Sequence, residues 1–154
     1  MKARRIPTTA LEACSEDVMR REIVRIRLAE VLACAPALDH GDAKELHDLR
    51  IACKRLRYAL ELHRDALPPE GAAAEHVLAE LQDLLGELHD CDVLTSLAKK
   101  RERGVVRTIE RDRRALLDLA RRRWREALQP TGALSALAAF AGFGSPQGST
   151  GGAP

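Results

Sequence analysis

Aromatic side chains are scarce: one Trp, one Tyr and two Phe make up 3 % of the 154 residues. A core of this chain has to be built from Leu, Ala, Val and Ile, and recognition of unpaired bases by aromatic stacking has almost nothing to work with. Four cysteines, Cys14, Cys34, Cys53 and Cys91, stand far apart without a CxxC pair, a spacing that suggests neither a zinc site nor a disulfide framework. No apolar run approaches the roughly 20 residues of a membrane span. The basic start MKARRIPTTALEACSED has no hydrophobic stretch beside it of the kind a signal peptide carries. The expectation is a soluble, cytoplasmic protein.

What is abundant is Ala, Leu, Arg and Glu, with few β-branched runs and 45 % hydrophobic residues, which predicts an all-α fold. The length suffices for one domain with its own core. Basic and acidic residues, 25 and 23, nearly cancel to a formal +2, so their segregation along the chain says more than their sum.

Periodicity predicts an up-and-down bundle of about four helices. The first runs from Thr9 or Ser15 to Cys34, with Val18, Ile23, Ile26, Val31 and Leu32 among its apolar positions, and ends at Pro36 and the turn Asp39-His40-Gly41-Asp42. Asp42 caps a second helix that continues to about Leu67, where Pro68-Pro69-Glu70-Gly71 breaks it. A third starts near Ala72 with Val77, Leu81, Leu84, Leu85 and Leu88 as its stripe. Gly86 within that stripe marks close approach by a neighbour or a bend before Asp90-Cys91-Asp92, after which the pattern resumes through Val93, Leu94 and Leu97. Gly104 separates off a fourth helix, 105–128, with Val105, Ile109, Leu116, Ala120 and Ala127 on one side. Residues 1–9 are assigned to a flexible basic arm and 10–128 to the bundle. Residues 129–154 are assigned to an Ala-rich segment, with a short helix over 133–141, and a disordered Gly/Ser/Pro tail.

The second helix carries more than a core face. Leu46, Leu49, Cys53, Leu56 and Leu60 recur at helical spacing. Beside them His47, Arg50, Lys54, Arg57 and Tyr58 form a neighbouring strip, successive steps standing about one turn, ~5.4 Å, apart. That strip is a ladder of donors suited to a repeating anion; Arg55 points elsewhere and is the weaker member. The plainer alternative is a solvated face held by ion pairs. Glu61 follows Arg57 by four residues and can pair with it for ~0.2–0.5 kcal/mol, but Arg50 is followed at that spacing by Lys54, a like charge that repels it.

Ten arginines between Arg101 and Arg125 form a second basic group. Arg107, Arg111, Arg114, Arg121 and Arg125 lie opposite the apolar side of their helix, whereas Arg113 and Arg123 fall closer to it and are better placed to line a groove, where the planar guanidinium suits phosphate. Trp124 is read as a packing residue. Asp90 and Asp92 do not face the same side of a helix, so they are expected to cap a break after Gly86 or to brace a groove arginine rather than to act as a catalytic pair. A metal held by His47 with His63, His89, Asp90 or Asp92 lacks any HxxxH or HExxH spacing. No catalytic residue, metal or cofactor is assigned.

The string HDLRIACKRLR (residues 47–57), followed by LQDLLGELHDCDVL (residues 81–94), resembles the CHAD family, the conserved-histidine α-helical domains. In that family the first string reads as His, a spacer of two, Arg, then a cluster of Arg or Lys, and each position is filled here. The resemblance, over about residues 10–128, implies an all-helical fold that binds inorganic polyphosphate through basic residues around a central cavity or groove, without catalytic chemistry of its own. The second string usually carries Arg before its first Asp, where this chain has His89 before Asp90. Such modules commonly have two similar helical halves, yet the HxxR helix occurs once in these residues. The chain is therefore read as a single-repeat or half-length member, either working alone or pairing with a second copy to rebuild a two-sided site; pairing is the expectation.

Taken together, the expected function is that of a non-enzymatic polyphosphate-binding module. It would act through His47, Arg50, Lys54, Arg57, Arg55, Arg113 and Arg123 and associate with polyphosphate granules. The rival is a helical protein that binds nucleic acid non-specifically through the same phosphate ladder, against which stand the few aromatics and the modest net charge. A triphosphate hydrolase would need clustered metal-binding carboxylates that the sequence does not visibly assemble.

Overall fold

The computed structural model describes residues 15–98 and 102–143. The basic arm and the tail from residue 144 onward lie outside the described residues. In chain order the helices are α1 (Glu16–Cys34), α2 (Ala37–His40), α3 (Ala43–Leu62), α4 (Pro69–Leu97), α5 (Arg103–Ala127) and α6 (Ala133–Phe140), with a single 3₁₀ turn at Arg64–Ala66 between α3 and α4. No strand occurs among the described residues, and the fold is all-α. No helix among them is long and apolar enough to cross a membrane.

Helix α3 lies between α1 and α4, and α4 in turn packs against α3, α5 and α6. The core they share is aliphatic, with Leu28, Leu49, Leu56, Leu60, Leu78, Leu81, Leu85 and Leu88 all buried. Cys53 sits among them as a small apolar residue. Burial, reinforced by the neighbouring Cys34, pushes its thiol up to about 12, so it stays protonated and unreactive at neutral pH. Trp124 is buried on α5.

Helix boundaries follow from local chemistry. Asp42 caps α3: its carboxylate accepts from the backbone N–H groups of Lys44 and Glu45, both at 3.0 Å. The expected turn before it is a short helix, α2, because buried Leu38 pins the segment to the core. Arg121 of α5 donates to the carbonyls of Leu38 (2.7 Å) and Asp39 (3.1 Å) that α2 leaves open. Gly41, at φ +71°, then reverses the chain in a conformation that a side chain would strain. Helix α3 ends at Leu62, earlier than the expected Leu67, because the chain tightens into the 3₁₀ turn before the prolines. Pro69 opens α4 at its first position, where no N–H is needed.

Further expectations are corrected, among them Val18, which is exposed rather than part of the apolar side of α1. Helix α4 continues past Gly86 to Leu97 without a break, so no capping carboxylate interrupts it there. Val105 is exposed rather than part of the apolar side of α5. The core also extends beyond residue 128. Helix α6 buries Leu134 and Leu137 against α4, and the link into it requires Gly132, where a Cβ would stand 2.3 Å from the carbonyl oxygen of Ala127.

Candidate polyanion groove between α3 and α4

The strip on α3 faces one particular strip on α4. The rings of His47 and His89 lie 5.6 Å apart, tilted by 47°. One turn further along α3, Arg50 crosses over Gly86, where a Cβ would meet its Nε at 3.8 Å. Further still, Arg57 donates from Nε to Oε1 of Gln82 at 2.7 Å. Numbers rise on α3 as they fall on α4, so the two helices run antiparallel and the strip lines the groove between them. From His47 to Arg57 the groove is about 15 Å long at 1.5 Å per residue.

Few negative groups answer the cations in this groove. Among the described residues no carboxylate pairs with Arg50 or Lys54, and the buried Nε of Arg50 has no hydrogen-bond partner. A buried unsatisfied donor costs roughly 1–3 kcal/mol, and Gly86 offers no side chain to offset it. Arg57 stands 3.8 Å from Glu61, the long intrahelical pair the spacing predicts. Tyr58, exposed, holds Lys54 Nζ 5.5 Å and the Arg57 guanidinium 4.8 Å from its ring centre, which orders two flexible cations at the end of the strip.

The remaining arginines named from the sequence lie elsewhere. Arg113 donates from Nε to Asp92 (2.6 Å) and from a terminal nitrogen to the carbonyl of Gly41 (2.7 Å). Arg123 pairs with Glu80 of α4 and, at 3.5 Å, with Glu126. Both sit in the α4–α5 seam, each facing a carboxylate of α4. Asp92 thus braces an arginine, although in the seam rather than in the α3–α4 groove. Arg55 lies on the α1 side of α3, where its charge acts on the Cys34 thiol alongside Asp48 and Glu30; burial is the largest cause of that thiol's raised pKa. These three do not join His47, Arg50, Lys54 and Arg57.

Two neighbours in the groove were not singled out as members of the site from sequence: His89, noted there as a departure from the expected Arg and as a metal-ligand candidate, and Gln82. Their signal was present in the spacing 82, 86, 89, which puts Gln82, Gly86 and His89 along one strip of α4. Among the described residues no three His, Cys, Asp or Glu side chains converge as a metal site. A cleft of about 670 Å³ between the end of α1, α2 and α5 is lined by Pro36, Leu38, Trp124 and Arg125 among others. It lies away from the cations of the groove, and its Arg121 is already held by two carbonyls and Asp118.

The family model for the CHAD domain matches residues 2–99, nearly two thirds of the chain, and the chain belongs to that family. The match covers α1 to α4, hence both walls of the groove, and stops before α5, short of the extent expected from sequence. No curated protein and no solved structure matches the chain.

Proposed function

We propose, from its place in the CHAD family, that this chain binds inorganic polyphosphate in the α3–α4 groove by electrostatics and hydrogen bonding, with no covalent step. The observation that carries this reading is the lack of carboxylate partners for Arg50 and Lys54 on the α3 side of α4, where on its other side Arg113 and Arg123 of α5 are each matched by a carboxylate of α4. Like charges one turn apart destabilise a helix mildly, and a chain of phosphates supplies the missing counter-charge along the whole strip. His47, Arg50, Lys54 and Arg57 are the contacts assigned; Arg113 and Arg123 are left out because they face carboxylates of α4, and Arg55 because it lies on the α1 side of α3, away from the groove. Association with polyphosphate stores in the cytoplasm, and pairing of two copies into one two-sided site, belong to the same proposal.

The test is binding of long-chain polyphosphate at physiological salt, in competition with charge-matched single-stranded DNA, for the wild type and for the triple variant His47→Ala/Arg50→Ala/Lys54→Ala. Tight binding that DNA does not displace and that the triple variant loses supports the reading, and the mass of the complex in the same samples reads the pairing. Equal affinity for both polymers would favour the nucleic-acid alternative, for which the exposed Arg107, Arg114, Arg122 and Arg125 of α5 provide sequence-independent phosphate contacts. An unchanged triple variant would remove the groove from either account.

A further inference from the structure

His47 and His89 reach the same end of the groove from two different helices, both exposed and with their rings 5.6 Å apart. The charges around them are uneven. On α3, Lys44 lies one turn before His47 and Arg50 one turn after it, with Lys54 a further turn on. On α4, Asp92 lies one turn after His89 but is held by Arg113 of α5 at 2.6 Å, and Asp90 beside it is exposed. Glu45 is engaged at the far side by His40 of α2, at 2.8 Å. A polyanion bound at this end of the groove favours the cationic form of an imidazole beside it.

We propose that His89 is a phosphate-binding residue contributed by α4, and that His47 and His89 form a two-imidazole subsite that takes up protons as the polyanion binds. The proposal rests on the polyphosphate reading of the groove and adds its regulation: the site grips phosphate chains more tightly as pH falls through the histidine range, near 6.5. Linkage sets the scale. If the bound polyanion raises the proton affinity of one imidazole tenfold, protonation raises polyanion affinity tenfold in return, and two imidazoles multiply. Arg50, Lys54 and Arg57 keep their charge across this range and supply the pH-independent part. Chain-end phosphates that gain protons over the same range lose negative charge and would weaken binding, so the predicted trend has the opposite sign.

The experiment measures the affinity of the 154-residue chain for long-chain polyphosphate at pH 5.5, 6.5, 7.5 and 8.5, at constant ionic strength and in EDTA so that no metal bridges the imidazoles. The wild type should bind at least about tenfold more tightly at pH 5.5 than at pH 8.5. His89→Gln should lose most of that gain, its affinity at pH 5.5 falling close to its own value at pH 8.5. His89→Arg should bind tightly at pH 8.5 and show a flatter profile. An affinity that is independent of pH, or a profile that His89→Gln leaves unchanged, overturns this inference and leaves the polyphosphate reading standing. No binding at any pH overturns both. His89 is exposed, so each variant should keep the wild-type circular dichroism, which separates a lost contact from a lost fold.

Discussion

Toward α5, helix α4 presents Asp92 to Arg113 and Glu80 to Arg123; toward α3 it presents His89 to His47, Gly86 to Arg50 and Gln82 to Arg57. One helix thus meets basic residues on two sides and answers them in opposite ways. In the seam with α5 the guanidinium groups fasten helix to helix. In the groove with α3 the guanidinium groups meet a neutral amide and a bare backbone, His47 meets an imidazole, and the Nε of Arg50 is left without a partner. What an arginine does here is decided by the residue facing it across the interface.

The largest effect that would sharpen this contrast is on stability. Arg113 and Asp92 have side chains only 20 % and 23 % exposed, and Arg113→Ala leaves the carboxylate without its partner and the Gly41 carbonyl without its donor. A loss of about 2 kcal/mol is expected, read from denaturant unfolding, with polyphosphate affinity unchanged. A variant as stable as the wild type would demote the seam to surface charge. A smaller effect of the opposite sign is expected in the groove. Gly86→Ala replaces a glycine inside a continuous helix, and its Cβ would reach Arg50 at an ordinary contact distance of 3.8 Å. Stability should rise by about 0.5–1 kcal/mol with affinity changed less than about twofold, an estimate that rests on the methyl group leaving Arg50 in place. A large fall in affinity would mean that the ligand needs the bare backbone itself.

Much of the fold was legible because it depends on local signals. The Asp42 cap, the Pro68–Pro69 break and the Leu stripes of α3 and α4 each follow from a few adjacent residues. Helix α6 was visible as an Ala-rich segment, but its role in the core was not: Leu134 and Leu137 are buried by α4, and nothing in their neighbourhood of sequence says so. The α3 half of the site was legible for the same reason, since the strip from His47 to Arg57 is a property of one helix. Its α4 half was not. Periodicity identifies the residues that share a strip, but the pairing of two strips is set by packing. Arg113 and Arg123 show the same limit. Their position near the apolar side of α5 correctly marked them as interhelical, while the carboxylates 21 and 43 residues away that occupy them could be matched only in three dimensions.

The most direct measurement compares two double variants that remove the same charge, Arg50→Ala/Lys54→Ala in the groove and Arg113→Ala/Arg123→Ala in the seam, for affinity to long-chain polyphosphate at physiological salt and at a temperature where circular dichroism shows both folded. The groove variant should bind at least about tenfold more weakly than the wild type, as expected for the loss of charge-assisted hydrogen bonds, and the seam variant within about twofold of it. Equal losses would mean that the polyanion responds only to total charge, and a greater loss in the seam variant would put the binding site on the wrong side of α4.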